Sequence, residues 1–172
     1  MPDTAVSLPA RAAGALAQLL VTLWVGGMWT VGYVAAPVLF GTLDDRMLAG
    51  EVAGRLFAFV AWIGMGTAGY LLVFLVVRRG RAALRCGLFW VTAVLLACVT
   101  TGYFGLQAEM AALKADVGSM DVMESASRER FAMLHGAASA IYLAQSVLGA
   151  WLAVGMKRHD LSRSRQMLFR DL

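Results

Sequence analysis

The fold is decided by residues 12–43, which read AAGALAQLLVTLWVGGMWTVGYVAAPVLFGTL and contain no charged side chain. Crossing about 30 Å of hydrocarbon takes about 20 helical residues, because lipid offers no hydrogen-bond partners to an exposed backbone. Three further runs, 56–77, 86–108 and 131–156, reach this length without Asp, Glu, Lys or Arg. The sequence therefore predicts an all-α integral membrane protein with four transmembrane helices.

The composition of the whole chain agrees with this fold class. Of its 172 residues 60% are hydrophobic and 15% are charged, against roughly half and a quarter in soluble domains. A mean hydropathy of +0.69 points the same way and excludes a water-soluble globule. Two cysteines, Cys86 and Cys98, are too few for a disulfide scaffold or a cysteine metal cluster.

The charged segments divide the chain into one transmembrane domain and a tail. We expect the domain to cover 1–156 and the basic tail to be a solvated, disordered segment over 157–172. The connection between the third and fourth helices is expected to be helical, with a break at Gly118–Ser119 and a capping signal at Asp121 and Glu124. The four spans are expected at about 13–40, 54–77, 86–108 and 131–156.

Lysine and arginine are unevenly shared between the two sides of the membrane. Four spans place the N-terminus, the second loop and the tail on one side, with ten of the fifteen lysines and arginines. The other side has five of them, together with eight acidic residues. Because positively charged flanks stay in the cytoplasm, we expect both termini to be cytoplasmic in a bacterial inner membrane.

Small and polar residues within the apolar runs predict how the helices pack. Pro37 lacks an N–H, so we expect the first helix to kink between Tyr33 and Pro37. Gly136, Ala140 and Ala144 form a stripe of small residues on the fourth helix, which favours close helix packing. An antiparallel four-helix bundle with a weakly polar seam is the expected arrangement.

Ionisable and polar side chains are also expected to meet at the non-cytoplasmic mouth of the bundle. Intramembrane ionisable groups are costly and often functional, which makes this mouth the candidate functional cluster. Its predicted members are Glu51, Arg55, Tyr103, Gln107 and His135.

His135 allows two interpretations. It could bind haem or copper with help from Met28, Met65 or Met133, since thioether sulfur suits both. The interpretation that we favour is a neutral histidine hydrogen-bonded across the seam. The only other histidine, His159, lies about 36 Å further along a continuous helix and cannot share a site with it. We expect no cofactor and no metal, with haem or copper as the alternative.

The chain lacks the motifs of common catalytic and nucleic-acid-binding sites. No HExxH, glycine-rich phosphate loop or paired intramembrane carboxylate occurs, so we expect a protein that is not an enzyme. The arginines at 78–81 are better explained as a topology signal than as a nucleic-acid patch. The expected partners are the lipid bilayer and other membrane proteins or a second copy of the chain. A small transporter or channel subunit is a further alternative.

Three stretches carry a family resemblance: LWVGGMW at 23–29 with APVLF at 36–40, AGEVAGRLF at 49–57, and FAMLHGAAS at 131–139. The chain resembles the bacterial family catalogued as domain of unknown function 4149, and is similar to the eukaryotic transmembrane protein 205. The resemblance implies a four-helix inner-membrane protein without an established reaction, whose eukaryotic relative is associated with resistance to platinum drugs. The recurring positions it implies are Trp24, Gly26, Pro37, Phe40, Arg55, Phe57, His135 and Gly136, of which Trp24, Gly26, Pro37, Phe40 and Gly136 would serve helix kinking and packing.

Overall fold

The computed structural model describes residues 8–117 and 126–168, and each regular element in these ranges is helical. The predicted break at Gly118–Ser119 and the predicted cap at Asp121 and Glu124 lie outside the described residues. The α-helices are α1 (Leu8–Thr30), α2 (Ala36–Thr42), α3 (Arg46–Arg79), α4 (Gly87–Thr100), α5 (Ala108–Val117) and α6 (Arg128–Leu168).

These helices provide four segments that are long and apolar enough to cross a membrane. We call them spans 1 to 4, and their bounds are Arg11–Thr42, Arg46–Arg85, Gly87–Asp116 and Arg128–Met156. Length and composition thus define a multi-pass membrane protein. The stretch 157–168, predicted as a disordered tail, instead continues α6 as helix, so that prediction was wrong.

Local sequence signals explain where α3, the main helix of span 2, begins and ends. Asp45 is the N-cap of α3, and its carboxylate accepts hydrogen bonds from the backbone N–H groups of Met47 and Leu48 at 2.8 and 3.1 Å. Gly80, with a φ of 54°, ends α3 in a conformation that other residues rarely adopt. A 3₁₀ helix, Gly80–Arg85, then leads directly into α4.

Span 1 packs against spans 2 and 4, and span 3 packs against the same two spans. The centre is apolar, and its largest fully buried side chains include Trp24, Met28, Leu71, Leu95 and Leu152. The Trp24 indole lies directly over Gly64, where any side chain would overlap the ring. The glycine at 64 therefore lets the largest side chain of the core bring spans 1 and 2 together.

The two ends of the packed spans differ in charge. One end, which we call the acidic end, carries the loop between spans 1 and 2 and the facing ends of α5 and α6. The other, the arginine end, carries Arg11 and the arginines of 78–85. Among the described side chains no acidic residue lies at the arginine end.

Spans 1 and 3 are each interrupted by a π-helical segment, Val31–Ala35 and Thr101–Gln107. The first lies where Pro37 predicts a departure from α-helical geometry. The N–H of Ala36 donates to the carbonyl of Val31, five residues back rather than four. The disruption expected from proline therefore takes the form of a widened turn just before the proline itself.

The small residues predicted to pack span 4 against its neighbours point outward instead. Gly136, Ala140 and Ala144 are all exposed, which corrects the expected packing stripe. Gly26 is exposed as well, and no atom of the described chain approaches the position of a Cβ at Gly26 or Gly136. Within one chain these residues therefore make no close helix contact.

Candidate binding cleft

Three of the five predicted mouth residues lie together at the acidic end. The Arg55 guanidinium donates to the Glu51 carboxylate at 2.6 Å, as their spacing of four on one helix allows. Gln107, on span 3, donates its side-chain amide to the carbonyl of Gly54 at 2.9 Å. This bond links the π-helical segment of span 3 to the first part of span 2.

The other two predicted members lie apart from these three. The hydroxyl of Tyr103 accepts a hydrogen bond from the indole N–H of Trp62 at 3.2 Å. His135 is exposed and stacks on Phe131, with ring centroids 6.1 Å apart and an interplanar angle of 10°. The cross-seam hydrogen bond expected for this imidazole is not made within the described chain, because the face of span 4 that carries it is uncovered.

Two charged contacts at this end were not predicted. Arg130 of α6 donates to Glu109 of α5 at 2.9 Å. The ammonium of Lys114, a residue of α5 in span 3, lies 5.7 Å from the centroid of the Phe131 ring. Sequence reasoning missed both contacts because they depend on how α5 returns toward α6, which no local spacing determines.

The face that carries His135 is uncovered because span 1 turns away from span 4. Before Val31, α1 packs against both α3 and α6. The π-helical segment Val31–Ala35 and α2 remain packed against α3, but no close backbone contact joins them to α6 in the described ranges. From this separation we infer an opening between the two spans on the acidic half of the described chain.

We call this opening the cleft. One wall is formed by the residues of 31–42, and the other by the exposed His135 and Ser139 of span 4. The Ser139 hydroxyl donates to the His135 carbonyl at 2.8 Å, within its own helix. The floor is formed by Tyr33, Tyr142 and Ser146, where the two spans meet again.

A group of hydrogen bonds closes the floor of the cleft. The Tyr142 hydroxyl donates to the Met28 carbonyl at 2.5 Å. The Tyr33 hydroxyl donates to Ser146 Oγ at 2.9 Å, and Ser146 in turn donates to the Tyr142 carbonyl at 3.0 Å. Behind them the Phe57 ring meets the Tyr142 ring edge-on, with centroids 5.2 Å apart. Among the described residues, hydrogen bonds thus join spans 1 and 4 at this level only.

The floor continues outward into a groove of about 410 Å³ between the two spans. Its lining is mostly apolar, and it shares Tyr33 and Ser146 with the floor of the cleft. The lining residues are Trp29, Tyr33, Leu143, Ser146, Val147 and Ala150. Its two hydroxyl groups are used within the protein, so the groove offers an apolar wall of the kind that suits a hydrocarbon chain.

The backbone of span 1 contributes a hydrogen-bond acceptor, the carbonyl of Gly32, at the level of the cleft floor. The N–H of Ala36 is used by the carbonyl of Val31, and Pro37 has no N–H. The carbonyl of Gly32 would accept a hydrogen bond from residue 36 in an α-helix or from residue 37 in a π-helix. Neither residue has an N–H available to it. At membrane depth an unsatisfied carbonyl is costly, so it favours a polar group from outside the helix. A side chain at Gly32 would overlap the Tyr142 ring.

The arrangement offers no evident metal centre. Across 8–117 and 126–168, no group of three or more His, Cys, Asp or Glu side chains could hold a metal ion. Met28, one of the methionines considered as a partner for His135, is fully buried beneath the floor of the cleft. The expectation of no cofactor and the alternative of haem or copper at His135 both stay predictions.

The helical spans and the cleft between them define a multi-pass membrane protein with a candidate binding site at one end. The chain belongs to the family described as domain of unknown function, DUF4149, whose family model matches residues 19–119. The match covers Glu51, Arg55 and Lys114, whereas the span 4 side of the cleft lies beyond it. No match is found among curated proteins or solved structures.

Proposed function

We propose that this chain is a non-enzymatic binding protein of the bacterial inner membrane that takes an amphipathic molecule into the cleft between spans 1 and 4. The observation that carries the proposal is the departure of span 1 from span 4 at Val31–Ala35. Binding rather than catalysis is proposed because the residues of the cleft contain hydroxyl groups and one imidazole but no nucleophile and base in contact.

The proposal includes an antiparallel bundle with both termini in the cytoplasm. Contacts at successive depths support the antiparallel order: the Tyr70 hydroxyl donates to the Ala13 carbonyl at 3.0 Å near the arginine end, and Gln107 reaches Gly54 near the acidic end. The excess of arginine at one end supports the orientation. In this orientation the cleft opens sideways into the outer leaflet.

Photochemical labelling tests the cleft directly. A photoreactive residue in place of Ser139 is compared with the same residue in place of Phe59, which is 67% exposed on span 2. The protein is solubilised and delipidated before illumination, and we then expect a lipid-derived adduct at position 139, from lipid that the cleft has retained. Position 59 should give an adduct only when it is illuminated in intact membranes, because it touches only exchanging lipid.

Equal loss of the adduct at both positions would contradict a binding cleft. The Pro37→Ala variant provides a second measurement. Restoring the N–H at position 37 should favour an α-helical turn, move α2 toward span 4 and lower labelling at position 139.

A further inference from the structure

Lys114 occupies an unusual position at the top of the cleft. Its ammonium lies over the Phe131 ring and 3.5 Å from the position that a Cβ would take at Gly50, between spans 2, 3 and 4. The Phe40 ring approaches the same Gly50 position at 3.8 Å. Lys114 is an exposed residue, and its neighbours on the protein side are two phenylalanine rings and a glycine rather than carboxylates.

The nearby carboxylates are already paired with other cations. Glu109 bonds to Arg130, and Glu51 bonds to Arg55. No carboxylate of the described chain lies within ion-pair distance of Lys114. Within the described residues this ammonium therefore has no ion-pair partner and can accept an anion.

Phe131 connects this cation to the cleft, because it contacts both Lys114 and His135. Below His135 the side chains of Ser139 and Leu143 are exposed, and Leu143 is part of the lining of the groove. Phe131 and Ser146 are separated by 15 positions, about 22 Å along a helix. That length is comparable to one bilayer leaflet, which consists of half of a roughly 30 Å hydrocarbon core and a headgroup layer.

We propose that the ligand of the cleft is an anionic phospholipid of the bilayer, with its phosphate at Lys114 and an acyl chain along span 4 into the groove. This inference rests on the proposed function. A cation at headgroup level and apolar walls below it match the two parts of such a lipid. The sideways opening between spans 1 and 4 would let it enter from the leaflet without leaving the membrane.

The test measures lipid binding to the purified, delipidated full chain by native mass spectrometry. The probes are phosphatidylglycerol and phosphatidylcholine with identical acyl chains. The wild type should bind phosphatidylglycerol more tightly, and Lys114→Gln should weaken its binding about five-fold, the effect of one basic residue near a headgroup. Lys114→Arg, which keeps the charge, should retain the preference.

Arg46→Gln is the matched control, because Arg46 is an exposed cation at the same end but does not lie over Phe131. It should leave the preference unchanged. An equal loss in Arg46→Gln and Lys114→Gln would overturn the proposal, since it would indicate general charge attraction. Unchanged thermal stability of Lys114→Gln shows that the variant is folded.

Inorganic phosphate distinguishes a lipid from a free anion. We expect it not to displace phosphatidylglycerol at equal concentration, and full displacement would overturn the lipid assignment. Equal binding of the two lipids, with labelling still found at position 139, would refute the role of Lys114 and leave the cleft intact. Absence of any retained adduct at position 139 would refute the cleft itself.

Discussion

The hydroxyl of Tyr142 donates a 2.5 Å hydrogen bond to the backbone carbonyl of Met28, one turn before span 1 leaves α-helical geometry. This bond fixes span 4 to span 1 at the last level where both pack closely. Above it, apart from the side-chain contacts at Gly32 and Tyr33, no close backbone contact joins the described part of span 1 to span 4. The pair therefore marks the boundary between the packed half of the protein and the open one.

Removing the Tyr142 hydroxyl should destabilise this boundary. We expect Tyr142→Phe to lower the free energy of unfolding by about 1 kcal/mol, in the range measured for hydrogen bonds between membrane helices. Thermal unfolding in detergent measures the change. Tyr103→Phe is the control, and it should cost less because its bond to Trp62 is long, at 3.2 Å. Equal effects of the two substitutions would refute a special role for the Tyr142 bond.

A methyl group at position 32 should disturb the same boundary. Gly32→Ala would place its Cβ within the Tyr142 ring, and we expect overpacking to cost about 1–3 kcal/mol. Gly26→Ala, six residues earlier, meets no atom of the described chain and should be neutral or slightly stabilising. Unfolding measured under identical detergent conditions compares them. A neutral Gly32→Ala would show that the Tyr142 ring can move aside at little cost.

Replacing Pro37 should raise stability while narrowing the cleft. Pro37→Ala supplies a helical N–H, and a proline within a helix costs about 3 kcal/mol. We expect a higher unfolding temperature for Pro37→Ala. Pro9→Ala is the control, because a proline in the first turn of a helix, as in α1, is tolerated. A fall in stability for Pro37→Ala would show that the π-helical segment is fixed by tertiary contacts instead.

The orientation of the chain is open to a direct measurement. A fluorescent protein fused after residue 172 should fluoresce, and alkaline phosphatase at the same point should be inactive, if the C-terminus is cytoplasmic. Ten of fifteen lysines and arginines on that side are the physical reason. The opposite pattern would place the cleft in the inner leaflet and contradict the proposed orientation.

An absorption spectrum tests the alternative of a haem or copper protein. We expect the purified chain to be colourless and to contain no stoichiometric copper, because the exposed His135 stacks on Phe131 and belongs to no group of three or more His, Cys, Asp or Glu among the described residues. Metal analysis accompanies the spectrum. A Soret band or bound copper that disappears in His135→Ala would reverse this conclusion.

The sequence predicts the features that depend on residues near one another in the chain. The four spans follow from the length of charge-free runs, and the Glu51–Arg55 pair follows from a spacing of four on one helix. The disturbance before Pro37 follows from its missing N–H. Each of these needs only local covalent structure and the properties of lipid.

Features that depend on which surfaces meet were harder to predict. Periodicity places His135 on the same face of span 4 as Tyr142, yet only Tyr142 is covered, because span 1 diverges between them. The stripe of small residues that begins at Gly136 is exposed. Helix periodicity shows that these residues share a face, but it does not identify which helix packs on that face. Lys114 was counted only as a loop charge, since its contact with Phe131 requires α5 to return to α6.

The widened turn at Val31–Ala35 has an evolutionary consequence. A π turn contains one residue more than an α turn, so a single insertion or deletion there would rotate α2 by about 100° relative to α1. Such a change would exchange the side chains that α2 presents to its surroundings while the Trp24 core stays in register. A change in length of a single codon would therefore alter the surface that α2 presents and leave the rest of the fold as it is.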